Sequence, residues 1–273
     1  MRNLFLLLLF INISCSVAEN DISTDNILMN AYSNVPSMLR VMTYNIGDFS
    51  GKDFSNGCPL GKELIQGVLY QQEASIIGLQ EDVFTYGDEH VRESIFNMFP
   101  FYYQRGSSLY NYKGFASLFP IHNIREVEYA SDSVSFSHPY FLAGEILTNN
   151  HSILVVSFHF DWDDKFKRRI QIEYLIAFAS VFDTAILMGD TNCCDYQNGH
   201  KLGNSSLHEE EWSLFQVAGY DMANNGKFGL FSTFMSGAPL DNIFVKGCHI
   251  NDAFVVEKDY MNDHFILVAD VAI

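Results

Sequence analysis

The sequence predicts an α+β protein with many strands and a few interleaved helices, arranged as two packed β-sheets flanked by helices. Three observations carry this. Short apolar runs rich in β-branched and aromatic residues recur along the chain, as buried strands do. Two stretches place apolar residues at helical spacing instead: Leu60, Leu64, Ile65, Val68 and Leu69, then Phe166, Ile170, Tyr174, Phe178 and Val181. Polar residues able to do chemistry sit at the ends of the apolar runs, where a layered fold assembles sites from distant segments.

The elements follow in order. Residues 39–46 (LRVMTYNI) form the first strand, and 60–69 a helix. ASIIGLQ is a buried strand ending at Glu81. Residues 99–104, 114–119 and 143–148 read as strands, and 152–160 as a strand carrying His159. After the second helical stripe, AILMG runs straight into Asp190, and LDNIFV and FILVADVAI close the chain.

A chain of 273 residues, 48% hydrophobic with mean hydropathy near zero, is long enough to bury a sizeable core. Arg2, the apolar stretch 4–13 and the small residues Ser16-Val17-Ala18 read as a signal peptide over 1–18, with an N-terminal membrane anchor as the alternative. Asn12-Ile13-Ser14 is a poor context for lipid attachment at Cys15. Residues 19–38 form a polar, loose lead-in, and 39–273 a single domain. The expected location is secreted or extracytoplasmic, and the expected state a monomer. Losing Arg2 takes the formal charge from −17 to −18, which excludes nucleic-acid binding by bulk electrostatics but not through a metal and a local basic patch. Cys58, Cys193, Cys194 and Cys248 remain after cleavage and permit two disulfides; no C-x-x-C spacing suggests zinc. Asn150 and Asn204 open glycosylation sequons, relevant in a eukaryotic source.

Hydrolysis of a phosphate ester needs a cation against the phosphate oxygens, a base for the attacking water, and stabilisation of the leaving oxygen. Glu81, Asn45 and Asp263 are candidate ligands for a hard cation, which takes oxygen donors. Asp190 with His264 could activate water, His159 could be a positively charged donor to phosphate, and Asp241 could hold His264 in one tautomer. Each residue alone also has an ordinary reading: Glu81 as a surface carboxylate, His159 as a core histidine, Asp190 as a loop cap, Asp241 and Asp263 as turn residues.

The ordered set resembles the endonuclease/exonuclease/phosphatase (DNase I-like) superfamily. TYN at 43–45, LQE at 79–81, SFHF around His159, GDTN at 189–192, LDNIFV and NDHF at 262–265 match its motif series, and KGFASLFPI at 113–121 echoes another segment. The likeness spans roughly 39–273. It implies a four-layer α/β/β/α sandwich and a Mg²⁺-dependent phosphoesterase, with Mn²⁺ or Ca²⁺ as alternative ions. By the same resemblance Glu81 is the principal metal ligand, assisted by Asn45 and Asp263. Asp190 positions the water, Asn192 holds the phosphate, His159 and His264 contact phosphate, and Asp241 pairs with His264. Asn262 and Ile266 depart from the usual Ser and Pro without removing a reacting group. A Cys194–Cys248 bridge, reminiscent of DNase I, is a guess at this level.

The substrate is less legible. His159 stands where abasic-site endonucleases carry Tyr, and Pro239-Leu240-Asp241-Asn242-Ile243 is shorter than the inositol-phosphatase signature. GDTN occurs in tyrosyl-DNA phosphodiesterases, which a signal peptide fits poorly. A DNase I-like nuclease is favoured, with Lys165, Lys167, Arg168 and Arg169 as a phosphate grip or a solvated helix start. A neutral sphingomyelinase-like phospholipid phosphodiesterase, using the aromatic stretch 99–112, or a phosphoinositide phosphatase is the alternative, and a catalytically inactive binding protein the reading from another class.

Overall fold

The computed structural model describes residues 35–47, 67–82, 98–106, 112–130, 134–148, 152–193, 207–256 and 263–273, all within one compact unit, Tyr32–Ile273. The expected signal peptide, most of the lead-in, Cys58, Cys194, Asn262 and both sequon asparagines lie outside the described residues.

The strands are β1 (Met38–Asn45), β2 (Ile76–Gln80), β3 (Phe101–Arg105), β4 (Lys113–Ser117), β5 (His122–Glu128) and β6 (Tyr140–Leu147). They continue with β7 (Ser152–His159), β8 (Thr184–Asp190), β9 (Asp221–Met222), β10 (Asp241–Lys246), β11 (His249–Val256) and β12 (Ile266–Ala272). They form two six-stranded sheets, ordered β11-β12-β1-β2-β4-β3 and β5-β6-β7-β8-β10-β9. Each sheet is mixed: β1 runs parallel to β2, and β7 to β8, while the remaining pairs are antiparallel.

The side-chain period of two explains the packing. Val41, Ile76, Phe115 and Leu267 of the first sheet meet Leu142, Val155, Ile186 and Ile243 of the second in one shared core. The alternate residues face outward. Met42, Tyr44, Ile77 and Leu79 pack with Val68 and Leu69 from the helical residues 67–71. Leu154, Val156, Leu187 and Phe244 pack with Ile172 and Leu175 of α1 (Lys165–Ala179) and Trp212 and Phe215 of α2 (Leu207–Val217). The expected four-layer sandwich is therefore present.

Two expectations need correction. The buried face of α1 is Arg168, Gln171, Ile172, Leu175 and Ala179. Of the apolar stripe read from the sequence, Phe166 is 64% exposed, and Val181, past the helix end, is 81% exposed. The helix turns a charged and an amide side chain inward because both find partners there, as described below. Hydropathy cannot register a satisfied buried polar group. In addition, β5, β9, β11 and α2 were not expected. β5 is an edge strand with mostly exposed or half-buried residues, and α2 opens on His208 and three glutamates, so neither shows a clean apolar period.

Close backbone approach fixes one glycine. A Cβ on Gly189 would sit 2.1 Å from the Phe158 carbonyl oxygen of the parallel neighbour strand. Backbone cannot yield as a flexible side chain can, so Gly189→Ala is expected to cost at least the ~1–3 kcal/mol typical of overpacking. Thermal denaturation checks this, and a melting temperature equal to that of the parent would refute it.

Candidate active site

The same alternation that builds the core delivers the site. On β1, Val41 and Asn45 share the inner face; on β7, Val155 and His159; on β8, Ile186 and Asp190; on β10, Ile243 and Asp241. The apolar member of each pair lies in the core, and the polar member lies at one common end of it. Register then aligns His159 with Asp190, Asp241 with Asp190, and Asn45 with Gln80, next to Glu81. Beneath the site a buried polar rung joins the sheets. Thr43 Oγ1 donates to Gln80 Oε1 at 3.1 Å, Gln80 Nε2 to Ser157 Oγ at 3.1 Å, and Ser157 Oγ to the Leu79 carbonyl at 2.7 Å.

Asp190 is the hub. Its Oδ2 accepts from Asn45 Nδ2 at 3.0 Å and lies 3.4 Å from His159 Nε2 and 3.6 Å from His264 Nε2. Its Oδ1 accepts from the Asn192 backbone N–H at 2.8 Å. His264 Nδ1 is 2.9 Å from Asp241 Oδ2, which fixes the ring with Nε2 toward Asp190. Glu81 completes the group: its Oε1 accepts from Asn45 Nδ2 at 3.3 Å and stands 4.0 Å from His159 Nδ1. Glu81 adopts φ 52°, a left-handed backbone that non-glycine residues rarely take and that recurs at functional sites.

Electrostatics divide the roles. Burial lifts the Asp190 carboxyl to about 7, with His264 working against that and Asp241 adding to it. Burial opposes a charged His264, but Asp241 and Asp190 outweigh it and raise the ring to about 10. His159 goes the other way: burial, helped by His138 and Lys113, pushes it well below the usual histidine range. The expectation of a positively charged His159 is thus corrected. His159 is a neutral imidazole, and the positive ring is His264.

No protein-family model matches the sequence, and no curated protein is detectably similar to it. Solved structures are similar in fold. An endonuclease/exonuclease/phosphatase from Bacteroides vulgatus superposes with TM-score 0.64 at 17% identity, covering 86% of this chain and 98% of its own. An endonuclease/exonuclease/phosphatase family protein from Leptotrichia buccalis gives 0.63 at 15%, covering 86% and 100%. D. rerio TDP2, complexed with single strand DNA product, gives 0.63 at 10%, covering 86% and 99%. The chain has the endonuclease/exonuclease/phosphatase fold.

On this fold Asn45, Glu81, His159, Asp190, Asn192, Asp241 and His264 come together. Asn192 Nδ2 donates to the Phe160 carbonyl at 2.9 Å, so this amide already braces β7 against the Asp190 loop. Asp263 lies beside His264 in sequence and is exposed; its backbone carbonyl accepts from Met235 N at 2.8 Å.

Asp190, Asp241 and His264 offer ligand atoms within 4.8 Å of one another. These atoms are already engaged with one another and with their neighbours: His264 Nδ1 lies 2.9 Å from Asp241 Oδ2, and Asp190 accepts from Asn45 and from the Asn192 N–H. The oxygens of Glu81 and Asn45 suit a hard cation better. Glu81 has a side chain 20% exposed, and Asn45 Oδ1 accepts from Gly47 N at 3.1 Å. His159 Nδ1 is buried without a hydrogen-bond partner among the described residues, across a 4.0 Å gap from Glu81. A bound oxygen would fill that gap. The residues therefore fit a divalent cation at Glu81.

Sequence reading missed three neighbours of the site. His138, 4% exposed, stacks on His159 with centroids 3.7 Å apart and planes at 19°. Lys113 is fully buried on the inner face of β4, its Nζ 4.3 Å from the Tyr140 ring centroid, and burial lowers it to about 7. Trp212 Nε1 donates to Thr191 Oγ1 at 3.1 Å, holding the loop after Asp190. Only Lys113 carried a signal, a lysine at the same parity as Phe115 in an otherwise apolar strand.

Of the two readings of the basic run at the start of α1, the solvated helix start fits: Lys165 pairs with Glu210, Lys167 with Asp163 at 3.4 Å and Arg169 with Glu173 at 2.9 Å at the surface, while Arg168 is buried against Glu211 at 3.0 Å. Cys193 and Cys248 are buried free thiols, and Cys194, the other half of the bridge guessed from sequence, lies outside the described residues. Phe99, from the aromatic stretch, is a core residue at 3% exposure.

Proposed function

We propose that this protein is a divalent-metal-dependent phosphodiesterase, with Mg²⁺ as the working ion and a nucleic acid as the favoured substrate. The observation that carries the reading is the Asp241–His264–Asp190 relay abutting the Asn45–Glu81 pair. Asp190 ionises near pH 7 and, held from both sides by Asn45 and the Asn192 backbone, then orients the attacking water. His264, kept protonated by Asp241, faces the charge that develops on the phosphate oxygens. Neutral His159 donates a hydrogen bond to the same phosphate, and its stack on His138 keeps the ring plane fixed. Glu81, with Asn45 and the exposed Asp263 before His264, would hold the metal, which when bound supplies positive charge against the phosphate.

With its basic run paired, the chain has no track of free cations along α1 to follow a long duplex, which favours a substrate recognised through few phosphates. The apolar stretch 4–13 and the small residues at 16–18 support export before the enzyme acts. N-terminal sequencing of the secreted form should begin near Glu19.

The deciding test is hydrolysis of plasmid DNA, RNA, sphingomyelin and a phosphoinositide, with Mg²⁺ and with EDTA. Glu81→Gln is expected to lose at least ~100-fold in turnover, the cost of losing a few kcal/mol of metal-assisted stabilisation. Equal behaviour of mutant and parent, with EDTA harmless, would move the protein to the binding class.

A further inference from the structure

The Asp241–His264 pair is assembled from both sheets. Asp241 opens β10 of one, whereas His264 leads into β12 of the other. Asp241 Oδ2 meets His264 Nδ1 at 2.9 Å, while Asp241 Oδ1 is buried without a hydrogen-bond partner among the described residues. That second oxygen gives no anchor, so the carboxylate is aimed through its backbone. Thr233 holds that backbone. Its fully buried Oγ1 accepts from Leu240 N at 2.9 Å and from Asp241 N at 2.8 Å. A hydroxyl oxygen accepts two hydrogen bonds, so both are used. The Asp241 carbonyl in turn accepts from Asn224 Nδ2 at 3.0 Å. The same threonine holds the other half of the pair. Its carbonyl accepts from Phe265 N at 2.8 Å, and the Asp263 carbonyl accepts from Met235 N at 2.8 Å, so a short antiparallel bridge brackets His264. Between these two bonds Phe234 sets its ring 4.9 Å from the His264 ring, at 70° to it.

We infer that Thr233 is a positioning residue for hydrolysis: it sets the Asp241–His264 hydrogen bond, and with it the aim of His264 Nε2 at Asp190, by spanning the two segments that carry the pair. The inference rests on the phosphodiesterase reading and adds a residue to its machinery. Thr233 is not itself a catalytic group; it acts through Asp241 and His264. The chemistry asks for a hydroxyl here. Leu240 and Asp241 are fully buried, and their backbone N–H groups need an acceptor. A valine of the same shape accepts nothing, so it would leave two buried donors unmet and release the Asp241 backbone toward other acceptors. Hydrogen bonds weaken steeply with distance and angle, so a small shift at Asp241 is felt at His264. The 3.6 Å between His264 Nε2 and Asp190 Oδ2 would change with it.

The experiment compares the full chain with Thr233→Val and Thr233→Ser in two assays. In Mg²⁺, with bis(p-nitrophenyl) phosphate as the probe diester, Thr233→Val should lose ~10- to 100-fold in kcat at unchanged KM. Thr233→Ser keeps the hydroxyl and should retain most of the parent rate. In EDTA, proton NMR follows the downfield Nδ1–H of His264, assigned by its disappearance in His264→Ala. This resonance should shift or broaden away in Thr233→Val and hold its place in Thr233→Ser. If Thr233→Val does not fold, the smaller Thr233→Ala is read in its place. A variant that melts below the parent yet keeps the parent kcat and ring proton overturns the inference and leaves Thr233 as a turn residue. A diester cut by parent and variant at equal kcat overturns this inference alone. A ring proton displaced in Thr233→Val and kept in Thr233→Ser, in a parent that cuts no diester, upholds the positioning role and overturns the phosphodiesterase reading.

Discussion

Asp190→Asn is expected to lower turnover by ~10³–10⁴-fold, the scale of removing a positioned general base. The substitution keeps an acceptor for the Asn192 N–H and removes the charge that faces His264 and the attacking water. Loss in kcat matching the loss in kcat/KM would place the missing interaction in the transition state. His264→Ala should fall by a similar factor. The same variant has a second readout in metal-free protein. The Asp190 carboxyl titrates near 7 when folded, against an ordinary value of 3.8. The folded state therefore binds a proton that the unfolded chain has released. The stability this confers is complete below about 4 and is lost as pH rises through 7. In EDTA, the melting temperature of the parent should fall across that window more steeply than that of Asp190→Asn. Parallel slopes would count against a buried, proton-holding Asp190, and near-normal turnover would remove it from the mechanism.

Arg168→Ala is expected to cost ~3–5 kcal/mol, a fall of roughly 6–20 °C in melting temperature. Arg168 and Glu211 have side chains only 3% and 2% exposed, paired at 3.0 Å between α1 and α2. Arg168 also donates to the carbonyls of Asp161 at 3.3 Å and Trp162 at 3.4 Å. Truncating it leaves the Glu211 carboxylate buried without its main partner, and that orphaned charge causes the penalty. The double variant Arg168→Met with Glu211→Leu should recover much of the loss, because it removes both charges. A single variant melting within roughly 2 °C of the parent would mean water reaches Glu211.

Most of the site was legible because its residues sit at the last inward position of strands whose apolar members are easy to see. Val41 and Asn45, or Ile186 and Asp190, differ in chemistry but not in parity, so locating the strand locates the functional side chain. What stayed hidden depended on pairing in space. Arg168 looked like a surface cation since nothing in its sequence neighbourhood announces Glu211, forty-three positions away. The partner that makes its burial tolerable comes from a helix the apolar pattern did not reveal. His138 precedes β6 and meets His159 only through the β6–β7 pairing and the Gln171 bond to its carbonyl, 2.8 Å long. The positive His159 expected from sequence failed for the same reason, since the degree of burial that discharges it is a property of both sheets together.

The hydrogen bond from Asn45 to Asp190 joins residues 145 positions apart and crosses from one sheet to the other. Neither sheet holds a working half of the relay, because Asn45, Glu81 and His264 come with one and His159, Asp190 and Asp241 with the other. The chain must therefore close its longest loops before any chemistry is possible, which makes folding slow on topological grounds. Refolding followed by a turnover assay would lag behind refolding followed by circular dichroism. On the proposed reading, turnover would be the signal that the two halves have docked.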